Sequence, residues 1–116
     1  MIKALLALVM ASTFSENQAA LLKEAGTVRV LYVSGDDDLL ENKKSVAEAK
    51  RTIDGQKWIV INIDADQSDM DCWFLHELAH HIAWSRHGED VELHGPEFQS
   101  ICRQLVPRRK NYFCGG

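Results

Sequence analysis

His76-Glu77-Leu78-Ala79-His80 is the stretch on which the reading of this chain turns. On a helix, residues four apart stand about one turn apart on the same face, so His76 and His80 can aim both imidazoles at one metal ion from the same side. Glu77 is rotated about 100° from His76 and cannot join the pair as an equivalent ligand. It can reach a water on that metal instead. This is the HExxH pattern, the geometry of a general base in metal-assisted hydrolysis. The predicted helix runs from Ser68 to His87. Ser68 is its expected N-cap, Asp69 and Asp71 fall in a first turn that favours carboxylates, and Gly88 stops it.

Zinc takes four ligands in a tetrahedron, and a catalytic site draws three of them from the protein. The third must come from outside the helix. His94 is the best candidate, in His94-Gly95-Pro96-Glu97-Phe98, where a loop enters a last helix. Gly95 is read as letting the backbone turn and Pro96 as the first helical position, which together hold the ring in place. Glu97 is the carboxylate alternative. His81 points about 100° away from His80, and His87 lies two turns further along the axis. The elongated pattern with a Gly and a third His shortly after the pair is absent, because Ala83 and Arg86 occupy those spacings. The expected site is therefore His76, His80 and His94 on Zn²⁺, with Glu77 as base. A rival reading closes the fourth position with Cys72, one turn before His76 on the same face, and makes the zinc structural and the domain a binding module. Arg86 and Tyr112 are both candidates to stabilise an oxyanion, and nothing singles out either.

Working outward from the motif, Pro96 begins a helix with Phe98, Ile101, Cys102 and Leu105 on one face, and Pro107 stops it. Upstream, Val46 to Ile63 reads as a hairpin around a two-residue Asp54-Gly55 turn, with Trp58 to Asp64 as its second arm. The edge of the small sheet near that arm is where an extended substrate would pair. The charged first arm has helix-forming residues as well, and the turn decides for the hairpin. Thr27 to Val33 reads as a strand apolar on both faces, suited to the inside of a sheet. Ser15 to Ala25 reads as a helix capped by Ser15 and ended by Gly26, with Ala19, Leu21 and Leu22 inward. Between them, Ser34 to Lys44 carries Asp36-Asp37-Asp38 and reads as a solvated loop, since it lacks the spaced carboxylates of a calcium loop.

The chain has 116 residues, 46% hydrophobic and 26% charged, with a net charge of −4. That is one domain's worth of an ordinary globular composition. A protein that lives on nucleic acid shows a basic face. Here the basic cluster is Arg103, Arg108, Arg109 and Lys110, read as a solvated tail. Three cysteines with no Cys-x-x-Cys pair build neither a disulfide framework nor a zinc ribbon. Cys72 and Cys102 are expected as small core residues. Ala4 to Ala11 is an apolar run, too short to span a bilayer. It fits either the core of a signal peptide over residues 1–11 or the start of a first helix. The unpaired cysteines favour a cytoplasmic protein, and a cleaved leader would make it secreted or periplasmic.

His76-Glu77-Leu78-Ala79-His80-His81, a polar loop, then His94-Gly95-Pro96-Glu97-Phe98 resembles the SprT/Spartan-type metallopeptidase domain. The preceding helix, strand and hairpin are similar too. The strong motif covers residues 76–98, and the looser pattern runs from about Ser15. The resemblance implies one SprT-like domain over residues 1–116 with an α+β, zincin-like minimal fold. In it a small three-stranded sheet packs on an N-terminal helix, a metal-binding HExxH helix and a C-terminal helix. It implies a monomeric zinc peptidase acting on a protein or peptide substrate, with His76, His80 and His94 as ligands and Glu77 as base. The same activated water would also serve a non-peptide amide or ester. Members of the family that act in DNA–protein crosslink repair carry a zinc ribbon or other DNA-binding parts. This acidic chain lacks them, so nucleic acid is not an expected partner. It looks like a minimal core of the kind found among phage or bacterial proteins.

Overall fold

The computed structural model describes residues 14–115. The apolar run at residues 1–11 lies outside them. Helix α1 spans Glu16–Ala25. Ser15 caps it reciprocally: the Gln18 amide donates to Ser15 Oγ at 3.2 Å, and the Ser15 amide donates to Gln18 Oε1 at 2.8 Å. Gly26, at φ +72°, ends it. Leu21 and Ala25 are its buried residues.

Strands β1 (Val28–Val33), β2 (Ala47–Arg51) and β3 (Lys57–Asn62) form one sheet in the order β1-β3-β2. β1 runs parallel to β3, with Val28 opposite Lys57. β2 runs antiparallel to it, with Ala49 opposite Ile59. The inner strand is therefore β3, with Ile59, Val60, Ile61 and Asn62 all buried. β1, read as an inside strand, is an edge: Leu31 and Tyr32 are exposed, and only Val28 and Val33 are fully covered. The helices pack on one face of the sheet. On the other, the loop side chain Leu40 covers Val33 and Val60. The apolar character of β1 on both sides thus exceeds what the fold buries.

The hairpin forms as expected, but its connection has three residues rather than two. Thr52 and Gln56 pair through Thr52 N and Gln56 O at 2.9 Å, and the Gly55 amide donates back to Thr52 O at 2.9 Å. Gly55 takes φ +86°, the left-handed residue that three-residue hairpins place after a tight turn.

Helix α2 spans Met70–His87 and is buried from Phe74 through Ala83. Its N-cap is Asp69, without a side-chain capping bond, because Ser68, the expected cap, turns its hydroxyl to Asp66 Oδ1 at 2.5 Å. Gly88, at φ +88°, ends it as expected. Helix α3 spans Pro96–Leu105 and buries Phe98, Ile101, Cys102 and Leu105, the predicted face.

A 3-10 helix, Arg108–Cys114, follows. The segment read as a solvated basic tail is therefore folded onto the domain: Phe113 and Cys114 are buried and Lys110 Nζ lies 3.1 Å from Asp69 Oδ1, while Arg103, Arg108 and Arg109 stay exposed. Cys114 forms a disulfide with Cys102. This corrects the expectation of three unpaired cysteines, and the argument for a cytoplasmic protein drawn from them falls with it. Cys72 is free and buried in the core, as expected. No helix among the described residues is long and apolar enough to cross a membrane.

Candidate metal centre

His76 and His80 leave α2 on the same face, one turn apart, and their Nε2 atoms are 3.2 Å from each other. His94 arrives from the loop before α3 and sets its Nε2 3.4 Å from that of His76. Its position is fixed by the start of α3: Gln99 Nε2 donates to the His94 carbonyl at 2.8 Å, and the Gln99 amide donates to Gly95 O at 3.0 Å. Gly95 has φ −79°, a conformation open to any residue. The backbone freedom expected of it is not used. What the site needs is its missing side chain, since a Cβ there would stand 2.9 Å from Glu92 Cβ.

The three rings rest on Phe98, which is completely buried. His80 stacks on it with ring centroids 4.1 Å apart, and His76 and His94 meet it at 4.9 and 5.1 Å. Trp84 also stacks on His80, with ring centroids 5.7 Å apart. Burial pushes the His76 imidazole down to about 4, helped by His94 and opposed by the Phe113 carbonyl. Burial, with His76, His94 and His81, takes His80 down to about 3. Both rings are therefore neutral at physiological pH and keep lone pairs to offer.

These distances fit a metal ion. Ligand nitrogens about 2.0–2.1 Å from a tetrahedral centre stand about 3.3–3.4 Å from one another, which matches the spacing of the Nε2 atoms. The three ligand atoms all lie within 4.8 Å of one another, and among the described residues this is the one group of histidine, cysteine or carboxylate side chains placed to hold an ion. Glu97, His87 and Cys72 are outside it. His81 faces the sheet, fully buried, with Nε2 2.8 Å from the Trp58 carbonyl. Arg86 is bound to Glu24 on α1, with Nη2 2.7 Å from Oε2, and does not line the cleft.

Glu77 sits beside the triad and does not join it. Its Oε2 lies 4.0 Å from His76 Nε2, and its Oε1 accepts the Ala49 amide at 2.9 Å. Burial raises its carboxyl to about 8 against the pull of that amide, with Glu48 adding to the rise. The Ala49 bond also shows which sheet edge meets the site. β3 is paired on both sides, so the stretch from Trp58 expected to receive a substrate strand is closed. The free edge beside the histidines belongs to β2. A cleft of about 940 Å³ runs between β2 and α2, with Trp73, Trp84, Leu93 and Tyr112 among its apolar walls and His76, Glu77, His80 and His94 along it.

Fold and site together define a metal-binding α+β domain with a zincin-like core. The SprT-like family matches residues 15–112. The chain belongs to that family. Comparisons with curated proteins and with solved structures find no match.

The sequence carries no signal for two contributors, the Phe113 carbonyl on His76 Nδ1 at 2.6 Å and the Ala49 amide on Glu77, whereas Trp84 stands four residues after His80 on the same helix, a spacing that could have placed it there. Each of the two is made by a backbone group, where residue type carries no mark. Phe98 was legible as a core position, and its four-residue offset from His94 was the available hint of its second role.

Proposed function

We propose that this protein is a zinc-dependent metallopeptidase formed as a single SprT-like domain. The observation that carries the reading is the convergence of His76, His80 and His94 on one point, with the Glu77 carboxylate beside them in a cleft bordered by a free strand edge. Three imidazoles and, among the described residues, no fourth protein donor suit a catalytic zinc site, which keeps one position open, better than a structural one. With Cys72 outside the group, the structural-zinc alternative lacks its fourth ligand.

Zinc held there supplies a Lewis acid and brings a water's pKa to about 7. His76, His80 and His94 would hold the ion through their ring nitrogens. Beside the positive charge of the ion, the raised Glu77 carboxyl would be drawn into its ionised form, and its Oε2 would then take the proton of the water attacking a peptide carbonyl and pass it to the leaving nitrogen. The outward backbone groups of β2 other than the Ala49 amide, which Glu77 holds, receive the extended peptide, an edge-strand pairing that reads backbone and tolerates varied side chains. Tyr112, which lines the cleft, is the remaining candidate for the oxyanion now that Arg86 is engaged elsewhere. All these groups come from one chain, so a monomer suffices. The acidic net charge of −4 supports a protein or peptide substrate over nucleic acid.

The test is metal analysis of purified protein together with cleavage of unfolded proteins and a panel of small amides and esters. Glu77→Gln should retain stoichiometric zinc and lose turnover by about 10²–10⁴. Full activity in that variant ends the general-base role. Stoichiometric zinc after His94→Ala moves the third ligand elsewhere. Turnover of the small amides or esters alone would favour a non-peptide hydrolase.

A further inference from the structure

α2 alone does not settle the state of His76. Its Nδ1 lies 2.6 Å from the carbonyl oxygen of Phe113. A carbonyl only accepts, so the ring carries its proton on Nδ1 and turns a bare Nε2 toward His80 and His94. That choice of tautomer is what a metal ligand requires, and it is made by a residue 37 positions away in sequence.

Phe113 stands in the last turn of the C-terminal 3-10 helix, a short element with poor internal hydrogen bonding that takes its place from what it packs against. Besides the burial of Phe113 and Cys114 in the core, three contacts tie it down. Its ring meets Trp73 edge-on with centroids 4.9 Å apart. Lys110 reaches Asp69 from a partly exposed position, a weak kind of tie. The third is covalent: Cys114, the very next residue, is bonded to Cys102 in the middle of α3, and both are fully buried. The same α3 begins just after His94 and carries Phe98 under all three rings. The disulfide therefore joins the element that supplies the His76 acceptor to the element that positions the third imidazole.

We propose that the Cys102–Cys114 disulfide is a positioning device for the metal centre: it latches the C-terminal 3-10 helix so that the Phe113 carbonyl holds His76 in its Nδ1–H tautomer. Zinc affinity then depends on a bond that touches no ligand. The hydrogen-bond partners of ligating histidines set ring orientation and basicity, and their loss costs about 10–100-fold in metal affinity. Opening the 12-residue separation closed by the disulfide frees the segment to sample other positions.

This inference rests on His76 being a zinc ligand. The experiment uses the full chain. The ¹⁵N–¹H spectrum of the metal-free protein reads the His76 tautomer, and chelator competition with Zn²⁺ reads affinity in wild type, in Cys102→Ser/Cys114→Ser and in Cys72→Ser as a control for loss of a buried thiol. Wild type should show the Nδ1–H form. The serine pair should show mixed tautomers and bind zinc about 10–100-fold more weakly, while Cys72→Ser binds as wild type does. Should the serine pair fail to fold, Cys102→Ala/Cys114→Val repeats the titration with apolar side chains in the same space, and the wild-type spectrum decides independently. An Nε2–H tautomer in wild type, free thiols at Cys102 and Cys114, or equal zinc affinity with and without the bond would each overturn the proposal. A wild-type protein that takes up no zinc refutes the metal-site reading itself and this inference with it.

Discussion

Phe98→Leu separates support of the metal site from stability of the core. Phe98 is fully buried and its ring meets all three imidazoles, at centroid distances of 4.1, 4.9 and 5.1 Å. Replacing a buried aromatic by alanine costs about 3–5 kcal/mol. Leucine refills most of the volume but forfeits ring–ring contacts worth about 0.5–1.5 kcal/mol each. With partial relaxation, a net loss of about 1–2 kcal/mol is expected. At this chain length that lowers Tm by about 4–8 °C. The rings of His76, His80 and His94 then lose their common floor, and zinc affinity should fall about tenfold, the low end of what supporting contacts contribute. The comparison is Leu105→Val, also in α3 and fully buried but seven residues beyond Phe98, which should lose about 1 kcal/mol and keep its zinc affinity. Urea denaturation of the metal-free proteins and chelator competition measure the two quantities separately. Equal zinc affinity in the two variants, at equal losses of stability, would refute the view that Phe98 supports the site.

Other substitutions test the remaining contacts. Gly95→Ala keeps a permitted backbone but drives a Cβ to 2.9 Å from Glu92 Cβ, so it should cost about 1–3 kcal/mol and weaken zinc by moving His94; unchanged zinc affinity would show that the loop absorbs the methyl group. His81→Ala removes the ring that meets the Trp58 carbonyl and leaves a cavity, a loss of about 2–5 kcal/mol, with zinc stoichiometry unchanged; a loss under about 0.5 kcal/mol in urea titration contradicts its assigned place. Arg86→Ala removes a half-exposed pair with Glu24 and should cost at most about 1 kcal/mol without changing turnover, so a tenfold drop in turnover would return Arg86 to the chemistry. Burial works to raise the Glu48 carboxyl, but the amides of Asn42 and Glu41, with Ser45 and Lys50, outweigh it and hold the group below its ordinary 4.5. A depressed carboxyl adds stability that is full above the unfolded value and is lost as pH falls through the folded one. Stability of the wild type should therefore decline below about pH 4.5 more steeply than that of Glu48→Gln, and parallel acid limbs would count against this role for Glu48.

How much of this was legible follows from where each feature's information lies. The triad was readable because a helix turns a four-residue spacing into a shared face, and because Pro96 marks the helix start that carries His94 to it. The helical faces and the hairpin were readable for the same reason, since local periodicity and a turn glycine encode them. The sheet order was not. An apolar strand such as Val28–Val33 reads the same whether a neighbour or solvent lies beyond it, and only the parallel pairing with β3 made it an edge. That difference bears on the expected substrate edge: β3 is paired on both sides, and the free edge beside the histidines belongs to β2. The cysteines misled in a similar way. Counting three of them says nothing of distance, whereas folding α3 against the C-terminal segment brings the Cys102 and Cys114 Cα atoms to 5.7 Å. The sequence thus encodes the three histidines locally, while the contacts on His76 and Glu77 come from backbone groups, a Phe113 carbonyl that any residue type could carry and an Ala49 amide that any residue but proline could. A search for this site by motif would find the histidines and miss the contacts that prepare them. Substitutions near Phe113 or Ala49 that leave the HExxH residues untouched can therefore disable the site without leaving a mark on its motif.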